Sequence, residues 1–421
     1  MNHLLRLEDP RALALADQLL VSFGTFVVTL VAARSLSTTD FSTLTLTLLI
    51  SMLMANIHRA AVTQPANVLG ATEKAPAAQV RLARTLTLSS ALAVMSVAVF
   101  VAVGAVVGLA ALDMLLGWLV FAVFSYQDTL RRHAYTRHDL RVALTLSTLA
   151  QLFLFGGLGL LHIAGWASKE SFLVVMASSS GVAAAWGAWR LEARPQWHLS
   201  AAQAVWSENR PIATWLLLTV AAVWGASQLY MFLGAALGPL AVAYLAASRN
   251  ILNALHVLSQ TLANYIPSRV AICLAEEGVP GVKRFLYRNL LTTAALASVF
   301  LLAIFLAAEP LLHLLYGESF VAAAAVLCIL AVGYVMSLFG TVLGTFCFGL
   351  GDSRSGLVAN LTGVVFTLSA GLWMTMNHGL EGLAWALTVS LSVIAASQGC
   401  FLVKTLRTAS ERFSQPARHG V

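Results

Sequence analysis

The sequence predicts an all-α polytopic membrane protein with about twelve transmembrane helices in two six-helix bundles. Three observations support this class. Hydrophobic residues form 59% and charged residues only 10% of the 421 residues, and the mean hydropathy is +0.82, which no soluble domain of this length would show. Apolar runs of about 20 residues recur along the chain, the length that a bilayer requires. Positive charges also concentrate in alternate loops, as topology demands.

Twelve apolar runs bounded by charge, Gly or Pro qualify as spans. The first begins at Ala12 and is too long for a cleaved signal peptide. In order, the runs cover residues 12–33, 42–63, 85–108, 112–130, 141–163, 170–189, 212–235, 239–268, 287–308, 321–350, 355–376 and 381–403. The longest loops, 58–84, 190–211 and 269–286, leave no room for a folded catalytic module.

The distribution of Lys and Arg predicts the topology. Of 25 such residues, 22 lie at the two termini and in the loops that follow even-numbered spans. Arg34 and Lys169 lie on the other side, and Arg249 lies inside a span. The positive-inside rule therefore places both termini in the cytoplasm. The net charge of +7 is explained by topology and calls for no nucleic-acid partner.

An internal repeat divides the chain into two pseudo-symmetric halves. The motif Asp-x-Arg precedes span 5 at Asp139 and span 11 at Asp352, and each Asp is expected to cap the helix that follows. The motifs lie six spans apart, so the halves share one orientation and are related by an axis along the membrane normal. We expect an N-terminal six-helix lobe at 1–195, a cytoplasmic linker at 196–211, and a C-terminal six-helix lobe with a short tail at 212–421.

Span 8 carries a polar face inside the apolar layer. Arg249 lies about 15 Å from the Gly238 end of the span, near the middle of a layer about 30 Å thick. A charge at that depth costs roughly 3 kcal/mol and needs a partner or water. The residues that share this face, spaced by four, three, four and four, are Arg249, Asn253, His256, Gln260 and Asn264. Either this face lines a water-filled, substrate-binding cavity, or its groups pair with neighbouring helices for structure.

The first half supplies a second group of candidates. Substrate-binding candidates are Gln18, Ser22 and Thr25 on one face of span 1, which Thr29 extends, and Arg59 near the cytoplasmic end of span 2. Asp17 is the ion-coupling candidate. Two plainer interpretations stay open: hydroxyls on a helix also bond the preceding carbonyls, and Arg59 also fits a topology-determining charge.

The sequence predicts a protein without catalytic residues, a metal or a cofactor. It contains no Walker A motif, no Gly-rich dinucleotide turn, no His-Glu-x-x-His and no clustered Asp-x-Asp. Its four cysteines lack metal-binding or redox spacing. We therefore expect that it is not an enzyme.

Several short segments together resemble the polysaccharide flippases, of the O-antigen or Wzx type, in the multidrug/oligosaccharidyl-lipid/polysaccharide (MOP) exporter superfamily. They are Ala33-Arg34-Ser35-Leu36 with Asp40-Phe41, Arg131-Arg132-His133-Ala134-Tyr135, Leu237-Gly238 with Ala243-Tyr244, Tyr265-Ile266-Pro267, Leu314-Leu315-Tyr316-Gly317-Glu318-Ser319-Phe320, Gly349-Leu350-Gly351-Asp352 and Gly379-Leu380-Glu381-Gly382-Leu383-Ala384. The resemblance extends from about residue 11 to 405.

The resemblance implies a MOP/MATE-like fold with a cationic cavity built largely from spans 1, 2, 7 and 8, and alternating access. It implies a polyprenyl-diphosphate-linked glycan as cargo, flipped to the outer leaflet of a bacterial inner membrane during cell-surface polysaccharide biosynthesis. The implied partners are a proton or sodium ion, membrane lipids, a polysaccharide polymerase and a chain-length regulator. An Arg recognises diphosphate oxygens well, which agrees with the polar face of span 8.

Two alternatives to a flippase remain. The first is a cation-coupled drug or metabolite antiporter of the same superfamily, for which intramembrane carboxylates are expected, whereas the deepest charge here is Arg249. The second is a membrane-embedded polyprenyl-linked glycosyltransferase or polymerase. Such an enzyme would be expected to carry catalytic carboxylates on a sizeable external loop, and the largest external loop, about 307–320, holds only Glu309 and Glu318.

Overall fold

The computed structural model of the protein describes residues 10–70, 73–137, 139–352 and 354–414. Within these ranges every regular element is a helix. The chain divides into two compact units, Met1–Val220 and Ala221–Val421. The predicted all-α class is confirmed.

The first unit holds six spans and the start of a seventh. A π-helical turn, Arg59–Thr63, connects α2 to α3, so that these two helices form one bent span. The helices are α1 (Pro10–Ser35), α2 (Thr38–His58), α3 (Gln64–Gly70), α4 (Ala75–Val106), α5 (Ala111–Thr136), α6 (Leu140–Ala164), α7 (Lys169–Arg190) and α8 (Leu199–Ser227), the last of which continues into the second unit.

The second unit is built from the end of α8 and five further helices. These are α9 (Leu229–Leu237), α10 (Pro239–Tyr316), α11 (Ala324–Gly349), α12 (Arg354–Phe366) and α13 (Leu372–Ser414). A 3-10 turn, Glu318–Ala323, precedes α11, and a second π-helical turn, Thr367–Gly371, joins α12 to α13.

Two glycines divide the longest helices into separate rods. Gly278 has φ 66° and ψ −162° within α10, and Gly379 has φ 55° and ψ −134° within α13. Positive φ is open to Gly because it has no Cβ, and the helical path is broken at both points. With these breaks, and with the bent spans α2–α3, α8–α9 and α12–α13 each taken as one rod, the described chain contains twelve rods. The predicted number of spans is confirmed.

The helices are long and apolar enough to cross a bilayer repeatedly. Nine helical stretches within the described ranges meet that length and hydropathy, and the last, Arg354–Glu411, contains the break at Gly379. Apolar side chains on α4, such as Met95 and Val106, are exposed, which is expected of a surface that faces lipid. The chain is a multi-pass membrane protein.

The predicted spans were too short and the predicted loops too long. The expected loop 58–84 contains the π-helical turn, α3 and the start of α4, and α8 begins at Leu199 inside the expected linker 196–211. Inside the expected loop 269–286 the helical path is broken only at Gly278. Hydropathy marks where side chains can face lipid, whereas a helix continues into the polar interface as long as its backbone bonds are favourable.

Both Asp-x-Arg motifs cap helices as predicted. Asp139 Oδ1 accepts from the backbone N–H of Val142 over 3.2 Å at the start of α6. Asp352 Oδ1 accepts from the N–H groups of Arg354 and Ser355, each over 3.1 Å, at the start of α12. These bonds satisfy donors that the first helical turn leaves free.

Candidate functional site

Asp17, near the start of α1, is a buried carboxylate held by α5. It is 2% exposed, and its Oδ2 accepts from Arg131 Nη1 over 2.9 Å and from Tyr135 Oη over 2.6 Å. Its Oδ1 is buried and has no hydrogen-bond partner among the described residues. Asp17 therefore keeps one oxygen with spare accepting capacity in a desolvated position.

A second carboxylate, Asp128, lies on α5 itself and binds three guanidinium groups. Its oxygens accept from Arg131 Nη2 over 2.8 Å, from Arg132 Nε over 2.7 Å and from Arg59 Nε over 3.4 Å. Arg131 thus bridges both carboxylates. Multiple charge-assisted hydrogen bonds of this kind are what a buried ionised carboxylate requires.

The local sequence of α5 explains this geometry. Arg131 and Arg132 follow Asp128 by three and four residues, the spacings at which side chains meet on a helix surface. Leu130 and Ala134, on the same two turns, are fully buried in the apolar core of the first unit. Packing of that apolar face fixes the rotation of α5, and with it the direction in which the charged residues point.

We call the six residues Asp17, Arg59, Asp128, Arg131, Arg132 and Tyr135 the arginine cluster. It contains three guanidinium groups and two carboxylates, so it carries one positive charge in excess. The side chains of Arg59 and Arg132 are 30% and 23% exposed, whereas both carboxylates are 3% exposed. The excess charge therefore lies on the more accessible side, where it can attract an anion.

A buried hydrogen-bonded chain lies beside the arginine cluster. His58, which is 1% exposed, immediately precedes Arg59, and its Nε2 lies 2.9 Å from Ser89 Oγ. Ser89 Oγ lies 3.3 Å from Thr129 Oγ1, on the residue after Asp128. The sequence analysis did not single out Ser89 or Thr129, because hydroxyls within an apolar helix carry no distinctive pattern.

In the second unit, Arg249 is surrounded by neutral polar groups. Its Nη1 donates to Gln228 Oε1, and the phenols of Tyr230 and Tyr334 lie beside its guanidinium. No carboxylate pairs with Arg249 within the part of the chain that the structure describes. Among the described residues its charge is solvated by dipoles, and its fork keeps donors that one amide oxygen does not occupy.

The rest of the polar face of α10 is only partly described. Asn253 is half-buried, and His256 is exposed one turn further on, within electrostatic range of Arg249. Gln260 and Asn264 belong to the same helix, but their side chains lie outside the described residues. The helical spacing predicted for this face holds as far as His256.

On the polar face predicted for span 1, the threonine hydroxyls bond within their own helix. The hydroxyls of Thr25 and Thr29 donate to the carbonyls of Val21 and Thr25, each over 3.0 Å. Gln18 is exposed and Ser22 is half-buried. Thr25 and Thr29 thus use their hydroxyls within the helix, as the plainer interpretation allowed.

Two residues predicted for different roles meet in the arginine cluster. Asp17, the candidate for ion coupling, and Arg59, the candidate for substrate binding, are connected through Arg131 and Asp128. The sequence analysis missed these connecting residues as site residues. The signal that could have found them is the Asp128-x-x-Arg131-Arg132 spacing, followed one turn later by Tyr135.

Buried carboxylates are confined to the first unit within the described ranges. They are Asp17, Asp113 and Asp128. At the other end of α5 from the cluster, Asp113 Oδ2 accepts from Lys169 Nζ over 2.6 Å, so each of the three is paired with a cation. No group of three or more His, Cys, Asp or Glu suited to a metal ion occurs among the described residues.

Part of the chain matches a known family. Residues 216–373 match the family model described as MatE. This segment contains α9, α10, α11, α12 and Arg249 with its neutral neighbours. No sequence among curated proteins matches the chain significantly.

Solved structures of similar fold cover nearly the whole chain. One, described as an inward-facing multidrug resistance MATE family transporter of the MOP superfamily, is 13% identical with a TM-score of 0.74, over 92% of this chain and 95% of its own. A MOP superfamily transporter from Pyrococcus furiosus, whose description reports a binding pocket of reversed polarity, is 13% identical, with a TM-score of 0.65 over 94% of each chain. A Vibrio cholerae MATE transporter is 14% identical, with a TM-score of 0.63 over 95% and 96%.

These similarities define the class. The chain is a multi-pass membrane protein with the fold of the MATE transporters of the MOP superfamily. Residues 216–373 match the MatE family model, and the expected MOP/MATE-like fold is confirmed.

Proposed function

We propose that this chain is a transporter that flips a polyprenyl-diphosphate-linked oligosaccharide from the cytoplasmic to the outer leaflet by alternating access. The observation that carries the proposal is Arg249, a cation within a membrane-spanning helix whose described partners are all neutral. A charge held in this way is poorly compensated. A diphosphate supplies both the opposite charge and oxygens that match the planar guanidinium fork.

The remaining candidate residues extend this site. Asn253 and His256 follow Arg249 on one face of α10, and Gln260 and Asn264 continue the same spacing. Their amide and imidazole groups suit sugar hydroxyls. Gln18, Ser22, Thr25 and Arg59 are the candidates from the first unit. Arg59 bears part of the excess charge of the arginine cluster and so favours an anion as well.

Asp17 is the proposed coupling residue. Its Oδ2 binds Arg131 and Tyr135, while its buried Oδ1 has no partner among the described residues. Uptake of a proton or a sodium ion there would weaken the attraction to Arg131, because the negative charge of Asp17 would be neutralised. Arg131 would then be released from one of its two carboxylates, which provides a physical link between ion binding and the arginine cluster.

The distribution of carboxylates argues against a cationic cargo. A cation-coupled drug antiporter is the second candidate, and the fold is shared with a transporter described as conferring multidrug resistance. However, every buried carboxylate among the described residues is already paired with Arg or Lys. A cationic drug would have to displace one of those partners, whereas an anion can bind Arg249 directly.

Reconstitution of the full chain into liposomes tests the proposal. The probe is a fluorescent polyprenyl diphosphate disaccharide, and a polyprenyl disaccharide without the diphosphate is the matched control. We expect dithionite to reach more of the diphosphate probe when the protein and an ion gradient are present, with no change for the control lipid. Transport of a cationic dye without movement of the diphosphate probe would instead establish the antiporter.

A further inference from the structure

The bend between α2 and α3 leaves the backbone carbonyl of Ala61 without its usual donor. Pro65 has no N–H and cannot donate to the carbonyl of Ala61, four residues earlier. Before it, the N–H of Gln64 bonds to the carbonyl of Arg59, five residues back, as in a π-helix. Ala61 and Val62 are both buried. A buried carbonyl in such a place needs a donor from elsewhere in the protein.

Asn209 of α8 supplies that donor. Its Nδ2 lies 3.2 Å from the carbonyl oxygen of Ala61 and 3.3 Å from that of Val62. The side chain is completely buried, and its Oδ1 has no partner among the described residues. The amide therefore contacts the turn through its donor side and stands in for the N–H that Pro65 lacks.

Neighbouring contacts fix Asn209 in this position. Glu208, the preceding residue on α8, pairs with Arg81 of α4 over 3.0 Å. The Nε of Arg81 also donates to Glu73 over 2.7 Å. The first half of α8 is thus tied to α4 beside the turn. This contact holds the Asn209 side chain next to the two carbonyls.

The π-helical turn also determines where Arg59 lies. Arg59 is the first residue of the turn, and its carbonyl accepts from both the N–H of Gln64 and the hydroxyl of Thr63. Its Nε contact with Asp128, at 3.4 Å, is the longest of the three guanidinium contacts to that carboxylate. The N–H of Arg59 bonds to the carbonyls of Ala55 and Asn56 within α2, so Arg59 is the residue at which α2 passes into the turn, and a change of register in the turn would be taken up there. Single π-helical turns are often found at functional sites.

We propose that Asn209 is a positioning residue that holds the π-helical turn in register and thereby keeps Arg59 at Asp128. Asn209 lies on α8, the helix that continues from the first unit into the second. The contact between Asn209 and the π-helical turn therefore connects that helix to the arginine cluster through the backbone of span 2. The inference does not depend on the identity of the cargo.

The test compares Asn209→Ala, Pro65→Ala and the double variant in purified full-length protein. Ala at position 65 restores an N–H that can bond the Ala61 carbonyl in the α-helical register, four residues back, so it should make Asn209 dispensable. Asn289→Ala is the matched control, because Asn289 donates to the Phe285 carbonyl of its own helix over 2.8 Å. Two readouts need no substrate: amide hydrogen exchange of residues 59–66, and modification of Arg59 by phenylglyoxal followed by mass spectrometry.

We expect Asn209→Ala to raise both the exchange of residues 59–66 and the modification of Arg59 by roughly tenfold, the equivalent of about one hydrogen bond. The double variant should return close to the Pro65→Ala values, and Asn289→Ala should leave both readouts unchanged. An unchanged Arg59 reactivity in Asn209→Ala, or no rescue in the double variant, would overturn the proposal. If Asn209→Ala does not fold, Pro65→Ala is compared with the double variant. Equal exchange and equal Arg59 modification in the two support the proposal, and different values refute it.

Discussion

Arg131 Nη1 lies 2.9 Å from Asp17 Oδ2, which joins two residues that are 114 positions apart. The contact ties the first turns of α1 to the last turns of α5. Because Arg131 also holds Asp128, the position of α1 and the charge state of the arginine cluster are not independent. Any event that neutralises Asp17 therefore also weakens the side-chain link between these two helices.

Removal of the Arg131 side-chain charge should strongly destabilise the first unit. Arg131→Gln would leave Asp17 buried without its cation, at a cost of about 3–5 kcal/mol. Adding Asp17→Asn should recover much of this loss, because the uncompensated charge is then gone. Thermal unfolding in detergent measures the effect. Arg284→Gln removes half of an exposed pair with Glu277 and should change stability by less than about 1 kcal/mol. Equal losses in Arg131→Gln and the double variant would show that Asp17 is not the group left unpaired.

Substitution of Arg249 should separate its charge from its geometry. We expect Arg249→Ala to abolish glycan export in a flippase-deficient strain and Arg249→Lys to retain part of it, because Lys keeps the charge but not the planar fork. Protein abundance in the membrane should stay near normal, since no described carboxylate loses a partner. The control is Arg288→Ala, at an exposed position of the same unit. Full export by Arg249→Ala at normal abundance would remove the main support for an anionic cargo.

The cap at the start of α12 should depend on one oxygen of Asp352. Asp352→Asn retains an Oδ1 that can accept from the N–H groups of Arg354 and Ser355, so stability and transport should stay nearly normal. Asp352→Ala should cost about 1 kcal/mol, with an additional loss because Thr405 Oγ1 donates to Asp352 Oδ2 over 3.1 Å. Unfolding temperatures and export measure both variants. Loss of transport in Asp352→Asn at normal stability would make this residue a coupling group.

The predicted topology can be tested with single cysteines in a protein that lacks its four native ones. Ser319 is exposed in the 3-10 turn before α11, and Ser207 is exposed on α8. Because the positive-inside rule places both termini in the cytoplasm, an impermeant thiol reagent should label position 319 in intact cells and position 207 only after permeabilisation. Ser168 and Ser353 form a second such pair. Labelling of position 207 in intact cells would reverse the assigned orientation.

Hydropathy predicted the number of spans but not where the helices end. The membrane imposes apolar runs of a fixed length, and these are visible in the sequence. The extension of α8 to Leu199, or of α4 to Ala75, depends on contacts such as Glu208 with Arg81. Such pairs join residues more than a hundred positions apart and leave no periodic trace.

The candidate site was predicted unevenly for a similar reason. Arg249 could be singled out because a charge in the middle of an apolar run is rare in any sequence. Asp17 and Arg59 were found as isolated polar residues, but Arg131 and Tyr135 fell in the loop after span 4 and were named only for the family resemblance. Their role follows from the side-chain contacts between α1 and α5, which no single segment encodes. The contact of Asn209 with the turn before Pro65 could be recognised only in three dimensions.

Gly278 has a mechanical consequence. The helical path is broken at this residue, between the rods that end at Glu277 and begin at Val279. A junction of one residue cannot lengthen, so a displacement of the rod that carries Arg249 must move the start of its successor, while the φ and ψ angles of Gly278 can absorb rotation. An epitope inserted next to Gly278 would lengthen that joint and disconnect the two rods, even if each still folded and remained in the membrane.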